Sequence, residues 1–194
     1  MSDRPSAAKS VLERSVSLSS AAEGELEALG LRGAGVKAPG LDPAPGREQI
    51  PKRAFSAPEV LNEAYDYAKP SSFSRGMRVD LPGATMLFVS GTASVDENGE
   101  TVHRGDLKAQ CLRTFHSLAR LLAAEGASWH DVIRTTCYLR DIDRDYDGFN
   151  EARTMFMNAI GLVPLPASTG IEARLCRSDL LVEIEAVAIL PCGR

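Results

Sequence analysis

The chain is short of aromatic side chains and of any concentration of basic ones. Phe, Trp and Tyr make up 6% of its 194 residues, and none falls within residues 1–54, which are rich in Ala, Ser, Gly and Pro. Such a stretch buries too little surface to offset its chain entropy, so this arm is not expected to fold alone. No run approaches the roughly 20 apolar residues of a membrane helix, and the N-terminus has no signal-peptide apolar stretch. The expectation is a cytoplasmic protein without a membrane partner. Lys and Arg number 22 against 26 Asp and Glu. Without a basic stripe to meet phosphates, nucleic acid is not an expected partner. Cys111, Cys137, Cys176 and Cys192 form no C-x-x-C pair, and His103, His116 and His130 show no metal-binding spacing. Neither a metal site nor a disulfide framework is expected, and Cys111 and Cys137 read as small buried hydrophobes.

What is present divides the chain into three parts: a low-complexity arm over 1–54, a lead-in over 55–69 and a folded domain over 70–194. In the arm, Ser20 with Glu23 reads as a capping box before Leu26 and Leu29, with Gly30 as a C-terminal glycine. A tethered helix, a partner-binding segment and plain disorder all remain open for it. Ser56 with Glu59 repeats the signature. With Pro58 in the first turn and Val60, Leu61, Ala64 and Tyr65 as a stripe, the lead-in reads as helical.

From residue 70 onward the pattern predicts strands at 77–80 and 85–90, then a type I′ hairpin turn at Asn98-Gly99. Asp106 precedes an amphipathic helix ending near Gly126, a β-branched strand covers 131–141, and a second helix runs over about 146–160. Strands at about 168–175 and 181–190 complete a β-β-β-α-β-α-β-β order, an α+β sandwich with both helices on one sheet face. In the last strand Val182, Ile184, Ala186 and Ala188 alternate with Glu183, Glu185, Val187 and Ile189. Both faces are partly apolar, and two helices cover only one, so a second copy of the chain is the expected cover for the other. Glu183 and Glu185 would then sit beside an interface whose low dielectric raises a carboxyl pKa, which suits a general base. A solvated edge-strand stripe explains the same pattern. Pairing the last two strands as an antiparallel hairpin would line Glu172, Arg174, Glu183 and Glu185 along one surface, with Gly170 leaving room for a ligand.

Several segments carry a more specific signal: PSSFSRGMRV (70–79), LFVSGTASVDENG (87–99), GDLKAQCLRTFHSLARLLAAEGAS (105–128), DVIRTTCYLRDI (131–142), FNEAR (149–153) and LVEIEAVAI (181–189). In this order they resemble the RidA/YjgF/UK114 family over residues 70–191. The resemblance implies a homotrimer whose sheets pack into a central barrel with ligand clefts between subunits. It also implies hydrolysis of reactive imine or enamine intermediates to ketoacids and ammonia, with no metal or organic cofactor. A ribonuclease role, also attached to the family, finds neither a basic groove nor a stacking platform here.

By the same resemblance Glu185, in VEIEA, positions the attacking water. Active members clamp the substrate carboxylate with an Arg in a P-A-R-S type motif, and here that position is Ser168. A serine cannot replace a bidentate guanidinium, so the substrate clamp is changed; Arg75 or Arg174 could supply the charge from elsewhere. The PYS tyrosine is Phe73, and the residue after that motif is Arg75. Ser90 and Gly91 match the family's SG, and Asn150 matches FNEAR. With Thr92, Gly170 and Glu172, these residues are the candidates to shape a cleft for a small-molecule substrate. The fold also serves chorismatase-type and aminomuconate deaminase-like enzymes, so a non-deaminase chemistry is one alternative. A non-catalytic trimer whose residues 1–69 recruit a partner protein, or close as a lid, is the other.

Overall fold

The computed structural model describes residues 16–32 and 35–191. In the arm, helix α1 (Ser20–Ala28) is capped by Ser19, whose hydroxyl accepts the Ala22 N–H. Gly30 supplies the left-handed residue after its end, at φ 67°, and Leu31 N–H closes back onto Leu26 O at 2.9 Å. The reading of a helix there is met, with the cap one residue earlier. No residue of α1 is buried.

The domain is one six-stranded sheet with two helices on one face. Its strands are β1 (Lys52–Phe55), β2 (Gly76–Leu81), β3 (Ala84–Ala93), β4 (Val132–Leu139), β5 (Ala167–Glu172) and β6 (Val182–Pro191). Helices α2 (Leu107–Ala123) and α3 (Ile142–Ala159) start on Asp106 and Asp141, each accepting a backbone N–H of its first turn. The sheet order is β1-β2-β3-β6-β4-β5. Leu87, Val89, Ile184, Ala186 and Ala188 meet Phe115, Leu118, Leu122 and Phe149 in the core. Phe115 stacks on Phe156 with ring centroids 4.9 Å apart, and Trp129 stands edge-on to Phe115.

Four expectations are corrected. The β-β-β-α-β-α-β-β order holds, but its third strand ahead of the helices is β1, before the two strands read from the sequence, and not a strand after Asn98-Gly99. That turn is closed by Asp96, whose carboxylate accepts from Asn98 N–H and Glu100 N–H. Gly99 alone has positive φ there, at 80°, so the turn is not type I′, and only a single bridge, Val95 to Thr101, follows it. Residues 55–69 are not a helix but turns and a short 3-10 segment, Ala64–Asp66. Tertiary donors take the carbonyls a helix would need: Arg113 bonds Val60 O and Arg75 Nε bonds Asn62 O. Helix α3 begins four residues earlier than read, because Asp141 caps it and Asp143 and Asp145 favour its positive N-terminal end.

The fourth correction bears on the site. β5 and β6 are not a hairpin: β4 lies between them, parallel to β5 and antiparallel to β6. The connection from β4 through α3 to β5 is a crossover, and the chain then returns past β4 to reach β6. Sequence neighbours are therefore not sheet neighbours, and the faces of β5 are assigned the other way. Thr169 and Ile171 share the side of Glu183 and Glu185, while Ser168 and Gly170 pair with Thr135 and Cys137 on the helix side.

Candidate functional site

The alternation in β6 follows the sequence reading: Val182, Ile184, Ala186 and Ala188 are buried under the helices, and Glu183, Glu185 and Val187 are half-buried on the other side. That open face is apolar for most of its length, with Met77, Met86, Phe88, Val187 and Ile189 in register across β2, β3 and β6. No helix among the described residues lies on it, and Phe88 keeps 41% of its surface exposed.

At one end of this face the apolar run gives way to carboxyls. The β3–β6 register jumps between Val89 and Thr92, so Ser90 and Gly91 form a bulge opposite Glu185. The bulge is held by Ser90, whose hydroxyl donates to Ser74 O at 2.8 Å and whose N–H donates to Arg75 O at 3.0 Å. Gly91 is necessary in a steric sense. A Cβ built on it would overlap Oε1 of Glu183, so only glycine lets that carboxyl lie against the bulge. Thr92, just beyond, is buried and pairs with Ile184 on the core side. It does not face the cleft with Ser90 and Gly91, because the bulge returns the strand to ordinary alternation.

Burial pushes the Glu183 carboxyl above the usual carboxylate range; Arg75 opposes that shift and the neighbouring Glu185 charge adds to it. Tyr138, across the β4–β6 ladder, has its hydroxyl pushed up by burial first, then by the neighbouring Glu185 and Glu183. Arg75 is itself buried. Its Cζ lies 5.0 Å from the Tyr67 ring centre and 5.4 Å from that of Phe73. Its backbone N–H bonds the carboxylate of Glu63, which burial also pushes upward. Two carboxyls two residues apart on one strand face stand ~7 Å apart at Cα, room enough for a water between them.

The other candidates gather elsewhere in the protomer. Ser168 accepts from Thr135 Oγ1 at 3.0 Å and from Arg153 Nη1 at 3.1 Å. Asn150 is held by Arg153 Nη2 on α3. Gly170 faces Tyr146 of α3, and Glu172 accepts the Ile142 N–H at the start of that helix. Arg174 is exposed beyond β5. Glu172, Gly170 and Arg174 thus do not line a surface with Glu183 and Glu185, since β5 carries them on the helix side or past its end. The candidates form two groups, one around Glu185 on the open face and one on the β5 edge against α3.

Glu183 is a carboxyl the alternation of β6 already marks beside Glu185, whereas two residues near these groups are not marked by the sequence. Tyr138 lies in a strand whose neighbours only the sheet order supplies. Arg153 closes the FNEAR segment, and only the fold shows that it points at Ser168. Cys111 and Cys137 are buried, with burial driving the Cys111 thiol up to about 12. Among the described residues no three His, Cys, Asp or Glu side chains gather in a way that could hold a metal ion.

Known proteins with this arrangement are numerous. The chain is 34% identical over 103 residues to a RutC family protein of Pyrococcus abyssi, covering 53% of this chain and 76% of that protein. It is 31% identical to the 3-aminoacrylate deaminase RutC of Acinetobacter baylyi, across 53% of this chain and 78% of the relative. A chorismatase of Streptomyces rapamycinicus is 34% identical over 61% of this chain, which spans 37% of that larger protein. Among solved structures, E. coli TdcF superposes with a TM-score of 0.59 at 22% identity, over 71% of this chain and 98% of that one. RidA from a Psychrobacter species superposes with 0.56 at 21%, over 71% and 99%. The Endoribonuclease L-PSP family model matches residues 68–190, from the turn before β2 to nearly the last residue of β6. With five of the six strands, the bulge and both helices inside that span, the chain belongs to the Endoribonuclease L-PSP family, the RidA/YjgF group of proteins.

Proposed function

We propose that the chain is a RidA-like enzyme that hydrolytically deaminates a small reactive imine, enamine or unsaturated acid. The observation that carries this reading is the pair Glu183–Glu185 at the end of an apolar sheet face, with the Glu183 carboxyl lying against a bulge in the space that a side chain at Gly91 would take. Glu185, with Tyr138 on the adjacent strand, holds a water and takes its proton as the oxygen attacks the imine carbon. Glu183, whose burial favours the protonated form, returns a proton to nitrogen, and the tetrahedral adduct then expels ammonia to leave the carbonyl product. No metal or organic cofactor enters this sequence.

The split of the candidates into two groups supports assembly from several copies. A homotrimer closing over Met86, Phe88, Val187 and Ile189 would cover the face left bare in the protomer. It would also bring the β5 edge of one copy toward the Glu185 group of the next. The test is ammonia release from freshly generated 2-aminoacrylate, with Glu185→Ala as control. Wild type faster than buffer and the variant slowed at least tenfold is the expected result; wild type no faster than buffer removes this substrate class. A non-deaminase chemistry is favoured by one observation, the 34% identity to a chorismatase over 127 residues, and chorismate consumption is its assay.

A further inference from the structure

The half-buried Arg153 guanidinium is held rigidly and has no carboxylate partner among the described residues. Its Cζ sits 5.0 Å from the centre of the Phe149 ring, Nη2 donates to Asn150 Oδ1, and Nη1 donates to Ser168 Oγ. A cation with three neutral neighbours and no counter-charge keeps several N–H donors for an outside anion. Ser168 adds to this. Its oxygen already accepts from Thr135 and Arg153 and sits 3.7 Å from the Cys137 sulfur; an anion at the strand edge competes with that weak sulfur acceptor for its proton. The strand carrying it is the sheet's last, with every residue exposed, and its far edge offers unpaired backbone N–H groups. The nearby Cys137 thiol also feels the Arg153 charge, which partly offsets the effect of burial.

We infer that Arg153 and Ser168 together form a binding site for a small carboxylate, with Arg153 as the specificity-determining clamp. The guanidinium takes the carboxylate oxygens through paired N–H donors, and the Ser168 hydroxyl bonds one of them. The charge absent from position 168 on the strand is thus delivered from the helix to the same place. This inference rests on the proposed reading for its biological substrate, but binding can be measured without any reaction.

The probe is pyruvate, with pyruvamide as its neutral counterpart, titrated calorimetrically into the full-length protein. Wild type is expected to bind pyruvate at least tenfold more tightly than pyruvamide. Arg153→Ala loses that preference, with pyruvamide affinity unchanged. Arg153→Lys retains part of it, because the charge remains without the planar fork. The double variant Arg153→Ala/Ser168→Arg regains it, since a guanidinium from the strand reaches the same spot; simple damage to α3 would not be repaired this way. Equal pyruvate binding by wild type and Arg153→Ala, no pyruvate binding by wild type, or failure of the double variant to recover would each overturn the inference. Pyruvate binding that depends on Arg153 in a protein that releases no ammonia would leave the clamp standing and remove the deaminase reading.

Discussion

Replacing Glu183 by Gln tests the electrostatics of the open face directly. Burial raises the carboxyl of Glu183 above its value in an unfolded chain, so the folded protein binds this proton more tightly than the unfolded one. The sign follows from linkage. The stabilisation is fully present below the unfolded pKa near 4.3, and it is lost as pH rises through the folded value. Each tenfold gain in proton affinity on folding is worth about 1.4 kcal/mol. Glu183→Gln keeps the size of the side chain but cannot ionise. The variant is therefore expected to match wild type at pH 4 and to exceed it at pH 7.5 by about that amount per tenfold. Urea unfolding at half-unit pH steps gives the difference curve, and taking the difference removes the parallel contribution of Glu63, which burial also raises. Two stability curves that run parallel from pH 4 to 7.5 would refute the placement of this carboxyl in a dry environment.

Gly91→Ala should cost little stability, because the overlapped atom is the far end of a flexible side chain. It should still lower the apparent pKa of Glu183 toward the ordinary carboxylate range as the carboxyl is driven into water, which carboxyl-region NMR titration reads. Leu118→Ala, at a fully buried position of α2, should lose roughly 2–5 kcal/mol in urea unfolding. Removing residues 1–48 should leave the urea midpoint unchanged, since α1 buries nothing. Removing 1–55 should lower it, because Phe55 is buried with its ring filling the space where Gly76 has no side chain. Val187→Asp places an unpaired charge at the centre of the open apolar face, a cost of about 3–5 kcal/mol if that face is covered. Association measured by sedimentation should weaken by roughly 100-fold or more, with the far-ultraviolet spectrum unchanged.

The parts of the fold visible in the sequence are those dictated by local chemistry. Asp106 capping α2, the alternation in β6 and the glycine ending α1 each depend on a few adjacent residues, and the structure has all three. Residues 55–69 show the limit of such signals. Ser56, Pro58 and Glu59 have the right types and spacing for a helix start, yet Arg75 and Arg113, from other elements, capture the carbonyls. The faces of β5 failed for a related reason. Alternation states which residues share a side, but which side meets which strand depends on β4 inserting between β5 and β6. Glu185 was readable because its neighbours on β6 fix its face. Arg153 was not, because its relation to Ser168 exists only once α3 packs along β5.

The two groups of candidates have complementary electrostatic needs. Glu183 and Glu185 bring two carboxyls to a face whose apolar remainder favours burial, and burying both ionised without compensation is costly. Arg75 answers part of this from within the protomer, facing Glu183 from between the Tyr67 and Phe73 rings. Arg153, on the other side of the β5 edge, has the opposite need: a cation held by neutral groups, with no carboxylate partner among the described residues. In the proposed assembly, a neighbour's β5 edge approaching the Glu185 end of the open face brings that cation toward the carboxyl pair. A substrate carboxylate between them would satisfy Arg153 without neutralising the Glu185 that must hold water. This arrangement predicts a dependence that neither group has alone. The substrate should bind only to the associated protein, so dilution below the association constant, or Val187→Asp, should abolish carboxylate binding in molecules that still fold and still contain Arg153.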